Sequence, residues 1–425
     1  MTIPNCPNPC LSRVLLCVLL VISFSWGCAQ ERVISKEQSL RQHYKDISRW
    51  VLPNPPAQIV QAELVWLNAD SLADIILVSR NGKDSLHADV YLNGGKAEKY
   101  KFSLKENPAL NQRLAEGVLY VSFGDIDRDG RQELILLTRE NSGENNAEIW
   151  FNNGQGVFYQ KKEYYFPKLP RGFDRAQFVD IDGDFDLDLW FTGENVLTED
   201  GKPAPYQARL FLNDSKGGFK DQTELLLPPL PPGISFLSIA DYDQDGTPDI
   251  FIAYAQGRDR LLINNGLGRF ADRTEDMLPL LVDHTLHVDW ADFDMDGDND
   301  LLLVVMRDKD TDQKNEYSYF LENTGQGHFV KKVSEDLPTI PTRRVYLLDS
   351  NQNKIPDLIL LTSKGPEIYT GKGNWRFKNE TARRLPVSEV IREMSFGDIT
   401  GDNSLDILSI VGKNKTAKLW ISSFK

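Results

Sequence analysis

Cysteine and histidine are scarce in this 425-residue chain. The four cysteines are Cys6, Cys10, Cys17 and Cys28, so the sequence beyond residue 28 has neither a disulfide nor a cysteine-based metal or nucleophile site. Only five histidines are present, and there is no G-x-S-x-G, P-loop or H-E-x-x-H motif. The sequence therefore carries no recognised enzyme signature, and stability must come from packing and from bound ions.

Positive charge is also in short supply. The chain has 48 lysines and arginines against 62 acidic residues, which gives a formal net charge of −14. No basic patch is evident, so nucleic acid is disfavoured as a partner. Much of the acidity falls in short segments such as DFDMDGDNDLLLV, from Asp292 to Val304, where carboxylates alternate before an apolar run. The charge therefore belongs mainly to local sites.

This segment has the arrangement of a loop that wraps its oxygens around one hard cation. Its acidic positions are Asp292, Asp294, Asp296 and Asp300. Ca²⁺ takes six to eight oxygen ligands, and Gly297 allows the sharp turn that brings alternate residues to a common centre. An EF-hand would need Glu at its twelfth position, where Leu303 stands, and its flanks would be helical rather than strand-like. The pattern predicts a strand, a cation loop and a second strand.

The acidic pattern recurs along the chain. Further copies are DIDRDGRQEL from Asp125, DIDGDFDLDL from Asp180, DYDQDGTPDI from Asp241, DSNQNKIPDL from Asp349, DITGDNSLDI from Asp398 and a worn WLNADSLADI from Trp66. Their spacing of roughly 50 to 60 residues leaves room for about four strands per unit. An Asn/Gly turn, as in WFNNGQGVF and INNGLGRF, follows each loop and is a hairpin signal. Each unit is predicted to be a four-stranded antiparallel sheet.

These motifs resemble the FG-GAP and VCBS repeats, the family of the integrin alpha-subunit propeller, over roughly residues 44 to 425. Phe123-Gly124-Asp125 and Phe396-Gly397-Asp398 match the first half of the FG-GAP name, but no GAP tripeptide follows, so the VCBS variant fits better. The resemblance implies an all-β fold, a seven-bladed β-propeller with calcium in the loop between the first and second strands of a blade. In such a propeller the calcium loops share one face, and the innermost strands begin on the other.

The two ends of the chain predict how the ring closes. The last unit stops after its third strand, whereas YKDISRWVLP, from Tyr44 to Pro53, matches the fourth-strand sequence FKDQTELLLP from Phe219. We therefore expect an N-terminal strand to complete the last blade, with Trp50, Val51 and Leu52 buried, which removes an open sheet edge. The predicted organisation is a leader at 1–29, a short linker at 30–43 and the propeller at 44–425.

The N-terminal segment is typical of an export signal. Arg13 precedes the apolar run from Val14 to Phe24, which is short for a membrane span. Cys28 follows a glycine as in a bacterial lipobox, although Ser25 and Trp26 are poor matches. We expect a secreted, periplasmic or cell-surface protein, with lipidation at Cys28, cleavage after the next residue and retention as a simple anchor all open. Weak calcium loops would fill outside the cell.

Five loops carry the predicted metal ligands, for about four to five Ca²⁺ ions. They are Asp125, Asp127, Asp129 and Glu133; Asp180, Asp182, Asp184 and Asp188; Asp241, Asp243, Asp245 and Asp249; Asp292, Asp294, Asp296 and Asp300; and Asp398, Thr400, Asp402 and Asp406. The loop from Asp349 to Asp357 has two asparagines in place of acids and no glycine, and the loop from Trp66 to Asp74 lacks its first ligand. These two are predicted to be hydrogen-bonded turns without an ion.

A second candidate site lies in the central channel. Residues two and four before each loop are apolar and are assigned to the core, so period two directs the residues three and five before it toward the channel. Those five before are Gln61, Tyr120, Arg175, Phe236, His287, Arg344 and Glu393. Tyr120, Arg175, His287, Arg344 and Glu393 are the candidate ligand-binding residues, and a hydrated, salt-bridged channel is the alternative. Long polar loops at 140–148, 193–207 and 307–318 are expected on the same face.

Three classes of function fit this sequence. The first is a binding or adhesion module for a protein or glycan partner. The second, which the family resemblance includes, is a polysaccharide-cleaving lyase or hydrolase, and the third is a purely structural surface scaffold. A converging Arg/His/Glu cluster in the channel would favour the enzyme, and a dispersed channel mouth would favour the binding module.

Overall fold

The computed structural model describes residues 43–423 except 69, 83–84, 117, 140–144, 162–165, 167–168, 170, 194–195, 199–200, 203, 205, 215–217, 282–283, 307–317, 326–327 and 386–389. The predicted leader, Cys28 and nearly all of the linker lie outside the described residues, as do large parts of the three long polar loops. Within the described ranges, no helix is long and apolar enough to cross a membrane.

The described strands form seven four-stranded antiparallel sheets, arranged as the blades of a propeller. Blade 1 contains β2 (Ile59–Val65), β3 (Asp74–Arg80), β4 (Leu86–Asn93) and β5 (Phe102–Lys105); blade 2 contains β6 (Val118–Gly124), β7 (Glu133–Arg139), β8 (Asn145–Asn152) and β9 (Phe158–Tyr159). Blade 3 contains β10 (Arg175–Val179), β11 (Asp188–Thr192), β12 (Ala208–Asn213) and β13 (Phe219–Asp221); blade 4 contains β14 (Ile234–Ala240), β15 (Asp249–Tyr254), β16 (Arg260–Asn264) and β17 (Phe270–Asp272). Blade 5 contains β18 (His284–Ala291), β19 (Asp300–Met306), β20 (Ser318–Asn323) and β21 (Phe329–Lys332); blade 6 contains β22 (Thr342–Leu348), β23 (Asp357–Thr362), β24 (Gly365–Gly371) and β25 (Phe377–Asn379). Blade 7 contains β26 (Ile391–Gly397), β27 (Asp406–Val411), β28 (Thr416–Ser423) and β1 (His43–Asp46).

Apolar side chains between the blades form the core. The second strand of each blade is apolar on both faces because it packs against both neighbouring blades, as in the buried run LLLVV after Asp300. One buried hydrophobic cluster fills each of the seven interfaces, including that between blade 7 and blade 1. The predicted seven-bladed propeller is confirmed.

The N-terminal strand closes blade 7 as predicted. β1 pairs antiparallel with β28, with His43 opposite Ser423 and Asp46 opposite Trp420. Val51 and Leu52 are buried, but the expected burial of Trp50 is wrong, since that residue is 77% exposed. Ser48–Val51 is a helical turn rather than a strand, so successive side chains point in different directions and Trp50 faces outward.

Short helical turns follow the outer strand in several blades. They are Ser48–Val51, Thr223–Leu226, Thr274–Met277 and Thr381–Arg384. Blade 1 has a longer helix, Pro108–Leu114, after its outer strand, and a 3₁₀ turn, Lys96–Glu98, before that strand. In blade 3, Asp221 Oδ1 accepts hydrogen bonds from the backbone N–H and the hydroxyl of Thr223, and Thr223 Oγ1 accepts one from Leu210 N–H. These bonds fix the chain to the third strand before it crosses to the next blade.

Candidate functional site: acidic loops and channel mouth

The acidic loops of blades 2 to 7 are each organised by their first residue, an aspartate. In blade 4 the Asp241 carboxylate accepts backbone N–H groups from Asp245 at 3.1 Å and Gly246 at 3.0 Å, which folds the loop around it. The loop has left-handed φ angles at two positions, 60° at Gln244 and 90° at Gly246. The sequence predicted the turn at Gly246, the sixth position, but not the left-handed backbone at the fourth position. Gln244 adopts it there although its Cβ makes this conformation sterically unfavourable.

The last acidic residue of each loop, here called the closing acid, has a structural role that the sequence reading missed. In blade 5, Asp300 is fully buried; its Oδ2 accepts the Phe293 N–H at 3.0 Å and its Oδ1 accepts the Asn323 N–H at 2.8 Å. The carboxylate therefore ties the loop and the end of the third strand to the second strand. The same pairing at Asp74, Asp357 and Asp406 explains why loops with weaker ligand sets also retain a closing acid.

Four of the five predicted metal loops bring three acidic side chains together, with ligand atoms within 4.8 Å of one another. These groups are Asp125, Asp127 and Glu133; Asp180, Asp182 and Asp188; Asp241, Asp243 and Asp249; and Asp292, Asp294 and Asp300. The fifth-position acids, Asp129, Asp184, Asp245 and Asp296, lie outside these groups and accept the N–H two residues further on. Asp402 makes the same turn. Since Thr400 offers no carboxylate, the blade 7 loop does not form such a group among the described residues.

The electrostatics of these four groups fit a bound cation. Burial, followed by the neighbouring carboxylates, raises the pKa of Glu133 to about 9, and burial raises those of Asp249 and Asp300 to about 8. Glu133 Oε1 and Asp182 Oδ1 are buried acceptors without a hydrogen-bond partner. An all-oxygen donor set with concentrated negative charge suits a hard divalent ion, and the loop size suits Ca²⁺.

The blade 6 loop is built differently. Asn351 Nδ2 donates to both oxygens of Asp357, at 3.3 and 3.1 Å, and the buried Ser350 stands where other loops have an apolar second residue. Arg384, only 3% exposed, donates from Nη1 to Ser350 Oγ at 2.7 Å and lies 3.9 Å from Asp357 Oδ2. The pKa of Asp357 is about 6, because the hydrogen bond from Ser350 and the charge of Arg384 partly offset burial. In this loop, the buried guanidinium of Arg384 therefore lies beside the closing acid.

Asparagines at the ends of third strands connect neighbouring blades. Asn264 Nδ2 donates to the carbonyl of Ile181 in the blade 3 loop at 2.8 Å and to that of Pro248 at 3.1 Å. Asn93, Asn152, Asn213 and Asn323 make equivalent bonds to the preceding blade. Blade 6 has Gly371 instead, where a Cβ would lie 2.2 Å from the Pro356 carbonyl oxygen. The hairpin motif was read from the sequence as a turn signal only.

β-Bulges shape the channel end opposite the acidic loops. In six innermost strands the register shifts immediately before the residue five positions ahead of the loop. Bulges re-aim a side chain relative to the regular pleat. The residues that follow the bulges are Gln61, Tyr120, Phe236, His287, Arg344 and Glu393, and together with Arg175 we call them the channel mouth.

Channel-mouth residues contact one another across blades. Arg344 Nη1 lies 3.3 Å from Glu393 Oε1, and the rings of Phe236 and His287 are 4.3 Å apart. Arg175 donates to the Ser235 carbonyl of the next blade. All of these residues are partly exposed except His287, which is buried with its Nε2 unpartnered. The predicted candidates therefore form contacts between neighbouring blades.

The same residues also converge across the channel. Burial and the charges of Glu63 and Glu393 raise the pKa of Tyr120, the charges of Arg344 and Arg175 lower it, and the net value is about 12. Tyr120 thus lies in the field of residues from four other blades. Burial and the charge of Arg344 lower the pKa of His287 to about 3, so this imidazole is neutral.

Glu63 and Asp289 are two further acids of the channel. Burial and the charge of Glu393 raise the pKa of Glu63 to about 7, and burial raises the pKa of Asp289 to about 7. Glu63 accepts hydrogen bonds from Gln61 Nε2 and Ser395 Oγ, both at 3.3 Å. Both acids stand three residues before a loop, so the period-two argument could have identified them.

Seven blades with recurring acidic loops between their first and second strands define a repeat β-propeller. The FG-GAP-like repeat family matches this chain at residues 125–191, 196–252, 241–303 and 349–409, which together cover more than half of it. The chain belongs to the FG-GAP-like repeat family.

A solved structure titled for specific recognition of non-reducing terminal N-acetylglucosamine by a lectin of Agrocybe aegerita is similar, with 17% identity and a TM-score of 0.47. The alignment covers 76% of this chain and 79% of that chain. No curated protein matches. The similarity at this level carries no argument about function.

Proposed function

We propose that this protein is an exported, calcium-stabilised propeller that binds a protein or glycan partner at the channel mouth. The observation that carries the proposal is that Arg344 of blade 6 is already paired with Glu393 of blade 7 at the channel mouth, so these partly exposed groups form a binding surface rather than a set of free catalytic groups. Charged, hydrogen-bonding and aromatic groups on a rigid scaffold provide varied contacts for a polar partner.

Calcium is proposed for the loops of blades 2, 3, 4 and 5. Each places three carboxylates around one centre, and the buried, unpartnered oxygens of two of these loops support an ion ligand there. Bound Ca²⁺ would neutralise the clustered charge and hold each loop in its folded form. Metal analysis of the protein after dialysis against micromolar free calcium and titration back should give about four ions, and fewer than three would contradict the assignment.

The chain termini bear on which face is free. His43 pairs with Ser423 at the end of blade 7 that carries the acidic loop. The described chain therefore begins on the loop face, from which residues 29–42 would lead to a leader or lipid anchor at Cys28. We propose export on the basis of the leader sequence. N-terminal sequencing and mass spectrometry of the protein from its native host would distinguish lipidation at Cys28 from simple cleavage, and an unprocessed cytoplasmic protein would contradict export.

A partner screen tests the binding role directly. Extracellular proteins and glycans would be presented to the protein in 1 mM CaCl₂, and each hit retested with the paired variant Arg175→Ala and Arg344→Ala. We expect binding to weaken at least tenfold, because hydrogen-bonding cations at such sites contribute about 1.5–3 kcal/mol each. Arg376→Ala is the matched control, since Arg376 pairs with Asp336 on an exposed site outside the channel. A partner that ignores both channel arginines would contradict this binding face.

A polysaccharide-cleaving enzyme is the second candidate, because the Arg/Glu cluster converges rather than being dispersed, and Glu63 has a pKa of about 7. Against it, Arg344 is paired with Glu393 and burial raises the pKa of both Tyr120 and Tyr346 to about 12, so neither phenol is prepared to act as a base. Incubation with a polysaccharide panel, scored for new reducing ends and for unsaturated products, separates the two functions. Turnover that Glu63→Gln abolishes would replace the binding proposal with the enzyme.

A further inference from the structure

The β-bulges of two neighbouring innermost strands carry arginine. In β22 the register shifts around Arg343 and in β26 around Arg392, so these two are the extra residues of their bulges. A bulge residue lies outside the strand ladder, and its side chain is re-aimed relative to the regular pleat. Both arginines are exposed. The other four bulges hold uncharged, half-buried residues, namely Val60, Leu119, Ser235 and Leu286.

Two lysines in nearby turns extend this positive charge. Lys364 and Lys413 are exposed in the turns that join the second and third strands of blades 6 and 7, on the face where the innermost strands begin. The turn with Lys364 is bound to the start of β22, because Ser363 N–H donates to the Pro341 carbonyl at 2.8 Å. The four cations come from separate segments, so no basic run in the sequence reveals them. We call this set the basic arc: Arg343, Lys364, Arg392 and Lys413.

Hydrogen bonds make the basic arc continuous from blade 6 to blade 7. Arg343 Nη2 donates to the Ile391 carbonyl of the next blade at 2.9 Å. The residue after Ile391 is Arg392, whose Nε donates to the Gly412 carbonyl, directly before Lys413, at 3.4 Å. The arginines therefore reach across the strands to one another's neighbours, and the four cations share one surface.

The charge of the basic arc is not neutralised by the chain. Within the part of the chain that the structure describes, none of its four cations has an ion-pair partner. The adjacent acid, Glu393, is paired with Arg344 at 3.3 Å. The corresponding turn of blade 4 differs, because its Arg258 lies 2.5 Å from Glu275. A protein of net charge −14 thus exposes a set of cations that is available to an external anion.

We propose that the basic arc binds an acidic polysaccharide through carboxylate or sulfate groups spaced along the sugar chain. The inference rests on the proposed function, since it names a class of glycan partner for an exported protein. Guanidinium and ammonium groups bind such anions by charge-assisted hydrogen bonds. Ser363 and Asn414, exposed beside the two lysines, can bond the hydroxyl groups that lie between the charges.

Other polyanions fit the basic arc less well. Double-stranded DNA carries about one negative charge per 1.7 Å of its axis, a density that four cations on an acidic protein do not match. Single-stranded nucleic acid is bound with aromatic side chains that stack on bases, and the segments 341–344, 363–365, 391–393 and 412–415 contain no aromatic residue. A lipid surface would require apolar side chains among the cations, whereas the two turns otherwise hold glycine, serine and asparagine.

The test measures calorimetric binding of the calcium-loaded full chain to short oligogalacturonates and to chondroitin sulfate oligosaccharides, with malto-oligosaccharides as the neutral probe. We expect the acidic probes to bind, and an increase from about 50 to about 200 mM NaCl to weaken binding at least tenfold, because counterions are released on binding. Arg343→Ser with Arg392→Ser gives both bulges the residue that blade 4 has, Ser235. This bulge variant should bind the acidic probes about five- to tenfold more weakly.

Lys220→Gln with Lys372→Gln is the matched control. It also removes two exposed positive charges, but from the outer strand of blade 3 and from the turn after β24 on the loop face, so it should bind like the parent. Lys364→Gln with Lys413→Gln covers the chance that the bulge variant does not fold. These lysines lie in exposed turns, so their replacement should weaken binding severalfold without lowering the melting temperature.

The channel-mouth variant separates this inference from the proposed binding face. Binding of the acidic probes that is lost in the bulge variant but retained in Arg175→Ala with Arg344→Ala would support the basic arc even if the channel-mouth proposal fails. Three results would overturn the inference: the acidic probes bind no more tightly than the neutral one, the bulge variant binds them as well as the matched control does, or anionic phospholipid vesicles or an oligonucleotide bind more tightly than the acidic oligosaccharides.

Discussion

The loops of blades 4 and 6 share one backbone plan but differ in the groups that surround the closing acid. Both bury a closing acid, Asp249 or Asp357, that accepts backbone N–H groups from the loop and from the third strand. In blade 4 Asp241 and Asp243 lie close to that acid, and burial together with the charges of Asp243 and Asp245 raises its pKa to about 8. In blade 6, Arg384 and two asparagines replace that arrangement. A buried carboxylate thus needs compensation, which an ion or the chain itself can supply.

Compensation of the closing acid by a side chain in blade 6 involves two residues that differ from those of blade 4. In blade 4 the second loop residue is Tyr242, whose hydroxyl donates to Met277 Sδ at 3.0 Å. In blade 6 the corresponding residues are Ser350 and Arg384, joined by a hydrogen bond of 2.7 Å. Without the serine, this buried arginine would lose its 2.7 Å hydrogen bond, and without the arginine the buried Asp357 would lose the positive charge that lies 3.9 Å away. The blade 6 loop should therefore fold without calcium.

Removal of calcium should give the largest difference between the two kinds of loop. At tenfold excess over Kd, each filled site adds about 1.4 kcal/mol, so four sites together add roughly 6 kcal/mol to the free energy of unfolding. We expect a chelator to lower the melting temperature by roughly 5–10 °C. Hydrogen exchange followed by mass spectrometry should show faster exchange in loops 180–188, 241–249 and 292–300. Equal acceleration in 349–357 would contradict the comparison.

Loss of the internal cation should have the next largest effect. Arg384→Met gives blade 6 the methionine that blade 4 has at this position. It leaves the buried Asp357 and Ser350 without their cationic partner, so we expect the free energy of unfolding in urea to fall by about 3–5 kcal/mol. Addition of Ser350→Tyr should recover part of that loss. Arg383→Met is the control, because the Arg383 side chain is 40% exposed, and it should change stability by less than about 0.5 kcal/mol. Equal effects of the two methionine variants would rule out the internal-cation role.

Substitutions at single ligand positions should give a smaller difference in stability between the two kinds of loop. Asp294 and Asn351 occupy the third position in blades 5 and 6. Asp294→Ala should remove one bound ion and about 1.4 kcal/mol of the calcium-dependent stability. Asn351→Ala loses hydrogen bonds to Asp357 but should leave the number of ions and the calcium-dependent shift in melting temperature unchanged. Thermal melts with and without calcium, together with metal analysis, would measure both quantities, and identical calcium dependence in the two variants would be evidence against the assignment.

Glu63 in the channel is intermediate between the two kinds of closing acid. The charge of Arg344 acts on it, but Arg344 is also paired with Glu393. Its pKa is raised from 4.5 to about 7, so its contribution to stability is fully present below pH 4.5 and is lost as the pH rises through 7. In saturating calcium, Glu63→Gln should reduce the fall in stability between pH 5.5 and 8 by on the order of 1 kcal/mol. Urea unfolding at both pH values would measure this change. An unaltered pH dependence would show that Glu63 titrates normally.

The sequence predicted the architecture because the same motif recurs in every blade. The recurring acidic motif and the match between Tyr44–Pro53 and the outer strands were sufficient for the blade number and the closure. The Ser350–Arg384 pair was not predictable, because its two residues are 34 positions apart in the chain and Arg384 lies outside the recurring motif. Trp50 was misjudged because a helical turn interrupts the strand pattern. The acid at the fifth position of each loop accepts a backbone hydrogen bond instead of joining the ligand group, and the spacing of acids in the sequence does not reveal such a bond.

The pairing of β1 with β28 also determines how the molecule responds to mechanical load. His43 and Ser423 lie opposite each other, so a force that separates the two ends acts across the strand pair rather than along it. Such a force breaks backbone hydrogen bonds one after another, as in a zipper, whereas shear would load them together. A surface attachment that pulls on both ends would therefore open blade 7 first, at low force, and the other six blades would at that stage still be intact.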